Sequence, residues 1–386
     1  MNRFVTWIVI AFPAIAHAQT DDADIAKALA DDAAAQKAAQ PAAAAVDTSV
    51  GPAPAQSMNP DLSFIADFAV ASFSQQALED GDHDPHEDGF ALQALELAAS
   101  KAVDPYFKFN ANINFSNDGV EIEEAYATTL DLPWNLQARA GKFLTQFGRI
   151  NPTHPHAWDF ADAPFAITRA FGGEGNRGVG VELSYLTPLP WYVELIGSAT
   201  DPRSGSFLPE DAAIDHVWTA QTTLAAKQFF ELGPNWSLLW GLSYAEGPHG
   251  GDALRTHVAG TDLYLKYRPI TFGSDTIVSL QSEWIYRRVE EASGSIADVS
   301  GYAQLFWRFA KRWGTGLRYE YGSHDPDDPD WMADRHRGAV ALTFWPTEFS
   351  RLRAQVQADD PRWLTPSYEA FVTLELSVGV HGAHKF

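Results

Sequence analysis

The sequence predicts an all-β protein: a transmembrane antiparallel β-barrel of about sixteen strands behind a short disordered N-terminal tether. Three observations carry this expectation. From Leu62 onward the chain falls into stretches in which apolar and polar side chains alternate, the period of a strand with two unlike faces. The connections between those stretches alternate between short turns and longer polar loops. No later segment offers the roughly 18 uninterrupted apolar residues of a membrane helix.

Composition narrows the field first. Among 386 residues there are 50 acidic and 27 basic side chains, a net charge of -23, no cysteine and 13% aromatics. So many aromatics exclude a disordered polymer, and the lack of cysteine excludes a disulfide scaffold, Cys-liganded metal and thiol catalysis. The acidity argues against nucleic acid as a partner.

Residues 1–18 read as a secretory signal. Arg3 supplies the positive end, Phe4 to Ile15 is apolar but too short to span a bilayer, and Ala16-His17-Ala18 is a small-x-small cleavage site, so the mature chain leaves the cytoplasm. Residues 19–60 are rich in Ala, Asp and Pro and show no sustained apolar stripe, which predicts a mobile periplasmic tether.

Residues 61–386 carry the barrel pattern. Phe107, Phe109, Ala111, Ile113 and Phe115 point one way, and Lys108, Asn110, Asn112 and Asn114 the other. Trp236, Leu238, Trp240, Leu242 and Tyr244 repeat it, as do Leu305, Trp307 and Phe309 against Gln304 and Arg308, and Leu352, Ala354 and Val356 against Arg351, Arg353, Gln355 and Gln357. A soluble sandwich shows the same alternation, so the connections decide. Short turns with Pro, Gly or Trp fall near Val103, Leu132, Pro188, Gly233, Arg268, Lys311 and Trp345; longer polar loops fall at 74–88, 148–177, 201–214, 246–256, 290–297, 323–335 and 359–367, with one brief loop at 116–118. Seven turns and eight loops give about sixteen strands with both ends on the short-turn side, the arrangement of outer-membrane barrels. Tryptophans at the short turns fit an interfacial girdle. The last stretch, Phe371 to Phe386, puts Val372, Leu374, Leu376, Val378 and Val380 on one face and ends in an aromatic residue, like the closing strand of such barrels.

Several short motifs carry a resemblance: His83-Asp84-Pro85-His86 with Gly89-Phe90, Val103-Asp104-Pro105-Tyr106-Phe107, Glu123-Glu124-Ala125-Tyr126, Gly141-Lys142-Phe143 with Phe147-Gly148, His154-Pro155-His156-Ala157-Trp158-Asp159, and His381 to Phe386. On these the chain resembles a bacterial outer-membrane β-barrel family related to phosphate-selective-type porins, whose members are sometimes labelled zinc-regulated TonB-dependent outer membrane receptors. The receptor label implies a barrel of about 22 strands with a plugged lumen, for which this chain has no room; the resemblance therefore implies the porin side. Location in the outer membrane of a Gram-negative bacterium follows, with outer-membrane lipid and lipopolysaccharide, the barrel assembly machinery and small hydrophilic solutes as partners, and a homotrimer modestly favoured.

The longest connection, about Arg149 to Arg177, carries Trp158, Phe160, Phe165 and Phe171. So much apolar surface seeks a wall, which predicts folding into the barrel, with Trp158, Asp159, Asp162 and Arg169 at the constriction. Parity places Lys108, Arg139, Glu121, Glu123, Glu283, Arg287, Arg308, Arg318, Arg351 and Arg353 along the pore, with both signs present.

Two His pairs are candidate metal ligands: His83 and His86 in the first loop, His154 and His156 in the third, with zinc or another divalent cation as the ion. The first loop begins like a calcium-binding EF-hand with Asp80, Asp82 and Asp84, but Pro85 holds the required Gly position and Ala91 the closing Glu position, so that motif fails. The competing reading of the third-loop His is that they hydrogen-bond carboxylates and seat the loop. No cofactor is required by the pattern. There is no Gly-x-Ser-x-Gly, zincin or phosphate-loop motif, and no enzyme activity is expected. The expectation is thus a passive channel for small hydrophilic solutes or ions. The alternatives are a receptor or importer for divalent metal, and an anchor whose tether binds periplasmic partners.

Overall fold

A computed structural model describes residues 59–379 apart from positions 76–77, 79–80, 117–118, 205, 210, 214–215, 217–218, 251–253, 272–274 and 329–330. The signal segment, residues 19–58 of the tether, Asp80 and the terminal Phe386 lie outside the described residues.

The described residues form sixteen strands: β1 (Asp61–Phe73), β2 (Gly89–Ala102), β3 (Phe107–Phe115), β4 (Val120–Thr129), β5 (Leu136–Leu144), β6 (Arg177–Leu186), β7 (Tyr192–Thr200), β8 (Gln221–Glu231), β9 (Trp236–Pro248), β10 (Arg255–Tyr267), β11 (Ile277–Glu291), β12 (Gly294–Ala310), β13 (Trp313–Gly322), β14 (Arg335–Thr347), β15 (Ser350–Pro361) and β16 (Ser367–Gly379). Each pairs antiparallel with its chain neighbours, and β1 pairs β16, Phe64 opposite Val378, to close the barrel. Closure leaves no strand edge, so backbone N–H and C=O groups are satisfied without water, the condition for a β-structure in hydrocarbon.

The alternation in sequence becomes two faces. Phe107, Phe109, Trp240, Leu242, Leu305, Trp307, Val356, Val372 and Leu374 are exposed on the outside, whereas Arg318, Arg353, Gln355, Glu283 and Glu375 are buried within. An apolar exterior and a charged interior invert the arrangement of a soluble protein and define an outer-membrane barrel. Trp134, Trp191, Trp236 and Trp313, beside the short turns, are exposed at the same end; their rings suit the headgroup level.

The expected loop at 290–297 is corrected to a two-residue turn. β11 runs to Glu291 and β12 starts at Gly294, with Glu291 opposite Gly294. Glu290, Glu291, Ser293, Gly294 and Ser295 read as loop because a strand end standing clear of the bilayer has water on its outer face and loses the apolar alternation.

Two features position the site. β4 carries a bulge: Asn112 on β3 faces Glu124 and Ile113 faces Ile122, so Glu123 is the extra residue. A bulge re-aims side chains, and here consecutive Glu123 and Glu124 are both buried on the inner side. The connection 145–176 between β5 and β6 turns inward, and includes a seven-residue helix α1 (Phe165–Phe171).

Candidate functional site

The loop 145–176 is held by the barrel wall on nearly every side. Phe147, Ile150, Ala166, Ile167, Ala170 and Phe171 pack on Ala245, Val258 and Ile285 of β9, β10 and β11, and Phe160 packs on Ala339 and Ala341 of β14. Polar contacts fix the rest. Gly148 N–H donates to Ser243 Oγ at 2.9 Å, the Arg149 guanidinium lies 3.7 Å from the Tyr264 ring centroid, and Ala161 N–H donates to Gln355 Oε1 at 2.8 Å. Lys227 of β8 donates to Gln146 Oε1 at 2.9 Å.

Four of the seven basic side chains expected along the pore, Arg287, Arg318, Arg351 and Arg353, converge on this loop. Arg318 donates to Asp162 Oδ1 at 2.6 Å and to the Asp162 carbonyl at 2.9 Å, and lies 2.8 Å from Glu320. Arg351 donates to the carbonyls of His156 and Trp158, both at 2.8 Å, and pairs with Glu375. Arg353 donates to the carbonyls of Phe160 and Trp158. Arg287 pairs with Asp298 at 2.7 Å and donates to the Arg169 carbonyl, while Arg169 reaches Asp298 and Asp328. Glu283 accepts the Ile150 N–H at 3.3 Å. Burial alone would raise the Asp162 carboxyl, yet Arg318 and Arg337 outweigh it and hold it below the usual carboxylate range; burial raises Asp159, which accepts from Gln304 at 3.3 Å.

Away from this cluster, Arg139 pairs with Glu182 at 2.9 Å, Glu121 bridges Lys142 at 3.3 Å and Arg177 at 2.7 Å, Arg308 donates to the Lys311 carbonyl near the short turns, and Lys108 is half-buried on the inner face. Trp158 Nε1 donates within the loop to Thr153.

The wall of β2 to β4 is acidic. His154 Nε2 lies 3.0 Å from Glu124 Oε2, with Asn112 Nδ2 2.8 Å from the same nitrogen, and its Nδ1 lies 3.4 Å from Glu123 Oε2 and 4.0 Å from Glu96 Oε1. The His156 ring stacks on His154 at 5.7 Å and meets Glu96 Oε2 through Nδ1 at 3.0 Å. The first loop docks here too: His83 Nε2 is 3.3 Å from Glu123 Oε1, Ala163 N–H donates to Asp84 Oδ1 at 2.7 Å, and Asp82 N–H donates to the Gly173 carbonyl at 3.3 Å. Burial disfavours the His154 imidazolium, but the surrounding carboxylates Glu123, Glu124 and Glu96 overcome it and hold its pKa well above the usual value. Burial pushes the Glu174 carboxyl up to about 8 despite Arg177, with Asp82 and Glu121 adding to the rise.

Three of the four His proposed as metal ligands therefore gather at one place, while His86 turns its Nδ1 to the Asp84 carbonyl at 2.9 Å. Parity misses Glu124, because the bulge shifts it inward. Glu96, set between Leu95 and Leu97, and Arg337 and Asp298, near loop ends, carry no local mark of their role.

No family model matches the chain. An uncharacterized protein of Aquifex aeolicus is 33% identical over 87% of this chain and 82% of its own length. Among solved structures the chain is similar to an anion-selective porin from Comamonas acidovorans (TM-score 0.57, 13% identity), covering 83% of this chain and 99% of that one. It is similar also to Pseudomonas putida OprB (TM-score 0.56, 11% identity) and to the outer membrane channel DcaP of Acinetobacter baumannii (TM-score 0.55, 13% identity), each over 83% of this chain and over 94% and 97% of theirs. At these identities what is shared is the barrel fold.

Proposed function

The chain belongs to the same family as the Aquifex aeolicus protein, and we propose that it is an outer-membrane porin-like channel for passive passage of small hydrophilic solutes or ions. The observation that carries this reading is the inversion of the barrel: apolar outside, charged inside, with the third loop seated in the interior. A wall built only to be filled would bury apolar side chains; this one turns Arg, Glu and Gln inward, the side-chain types that set charge selection in a channel lining.

Selection in this reading comes from the third loop and the charges flanking it. Basic side chains line the stretch of wall from β13 to β15, and the carboxylates Glu96, Glu123 and Glu124 line β2 and β4 further round the barrel. Rows of unlike charge around the loop set a field in the lumen that orders water and favours polar solutes over apolar ones of equal size. The solved structures named as porins and channels support the same reading by fold.

The deciding experiment is single-channel recording of refolded protein in a planar bilayer under a salt gradient. Stable, stepwise openings with a reversal potential between the single-ion limits are expected; a silent bilayer with folded barrels inserted overturns the proposal.

A further inference from the structure

We propose that His154, Glu96 and Glu123 form a site for a zinc-class divalent cation between the third loop and the acidic wall. One nitrogen and two carboxylate oxygens from these residues lie within 4.8 Å of one another. His154 Nδ1 is 3.4 Å from Glu123 Oε2 and 4.0 Å from Glu96 Oε1. Donors bound to one zinc at roughly 2.0–2.2 Å stand about 3.2–3.6 Å apart in a tetrahedron, so small side-chain shifts complete the geometry.

Two further observations point to a ligand. His154 Nδ1 and Glu96 Oε1, which face each other, are both buried without a hydrogen-bond partner, and orphaned buried polar atoms are costly. The atoms behind them are partnered in the pattern that supports metal ligands. Glu124 Oε2, 3.0 Å from His154 Nε2, accepts from that nitrogen, so the Nδ1 lone pair faces the ion once the ion displaces the Nδ1 proton, the Asn112 amide orientation following the tautomer. His156 holds the far oxygen of Glu96, and His83 the far oxygen of Glu123.

Mixed imidazole and carboxylate donors suit zinc and its neighbours more than calcium or magnesium. A cavity of about 50 Å³, lined by His83, Glu123, His154, Glu174 and Arg177 among others, adjoins the donors and has room for a water as a fourth ligand. The ligands come from β2, β4 and the loop, so a bound ion neutralises wall carboxylates and clamps the loop to that side. The site stands apart from the channel reading, since it requires binding and not conductance.

The test is calorimetric titration of zinc into untagged, refolded, chelator-treated barrels, with heat-modifiable gel mobility as the check of folding. One site per barrel is expected. His154→Ala and Glu123→Gln should each weaken it at least about tenfold, Glu124→Gln by about tenfold through the unfixed tautomer, and His86→Ala not at all. Should His154→Ala fail to fold, cobalt loaded into wild type and Glu124→Gln replaces it: visible d–d bands of low-coordinate cobalt are expected in wild type and weakened in the variant. No binding by wild type, equal binding by Glu123→Gln, or loss on His86→Ala overturns the proposal.

Discussion

Asp162 and Arg318 meet at 2.6 Å although they stand 156 positions apart in the chain, one at the inner reach of the third loop and the other on the β13 wall. Arg337 approaches the second Asp162 oxygen at 3.4 Å and Gln355 Nε2 donates to Oδ1 at 2.6 Å. All four side chains are buried. The pair is therefore a seat whose removal leaves uncompensated charge.

Asp162→Ala removes a buried counter-charge shared by Arg318 and Arg337, which keep their contacts with Glu320 and Asp359 but leave the buried cluster one negative charge short. Breaking a buried ion pair from one side costs about 3–5 kcal/mol. Urea unfolding in detergent should show that loss, and single-channel records should become noisier as the loop comes loose; an unchanged midpoint would remove Asp162 from the seat.

Arg351 and Arg353 donate to three loop carbonyls, those of His156, Trp158 and Phe160. The double change Arg351→Ala with Arg353→Ala withdraws those donors and two positive charges from the lumen. Conductance should rise and the reversal potential move toward cations. Movement toward anions would mean these arginines do not face the permeating ion.

The lipid face is tested at Val340, exposed at the middle of β14 opposite Leu317. A lysine at that depth costs about 2–4 kcal/mol in a bilayer. Equilibrium refolding into lipid vesicles should report it, with little effect on solubility in detergent. A cost below 1 kcal/mol, about the interfacial value, would place Val340 away from the hydrocarbon core.

Glu174 makes the docking of the first loop pH-dependent. Its folded pKa is about 8 against an ordinary value of 4.5, so its contribution is complete below about 4.5 and is lost as pH rises through about 8. The Asp82 amide, bonded to the Gly173 carbonyl, should lose exchange protection between pH 6 and 9 after correction for the intrinsic rate. Glu174→Gln, which mimics the protonated carboxyl, should abolish that loss; if it persists, another group governs the contact.

Strand number and facing were legible because lipid imposes alternation wherever a strand crosses it: Trp236 to Tyr244 and Leu352 to Val356 could be read residue by residue. Legibility ended where that constraint did. The ends of β11 and β12 stand in water and looked like loop. Glu124 was hidden by a bulge that depends on how β3 pairs with β4, a relation no local pattern records. Glu96, Arg337 and Asp298 acquire their partners from segments far away in sequence. His154 and His156 were marked by their residue type, but which carboxylates they meet is decided by closure of the barrel.

That closure has a consequence for the order of assembly. The loop leaves β5 early in the chain, yet its carbonyls and N–H groups bond to side chains as many as 195 residues later, in β15. Until those strands arrive, Phe160, Phe165 and Phe171 have no wall to pack on. Contacts of such high sequence separation form late and slowly, and exposed apolar segments waiting for them invite aggregation. The loop is therefore among the last parts to reach its native place, and its apolar side chains stay uncovered until the wall is complete.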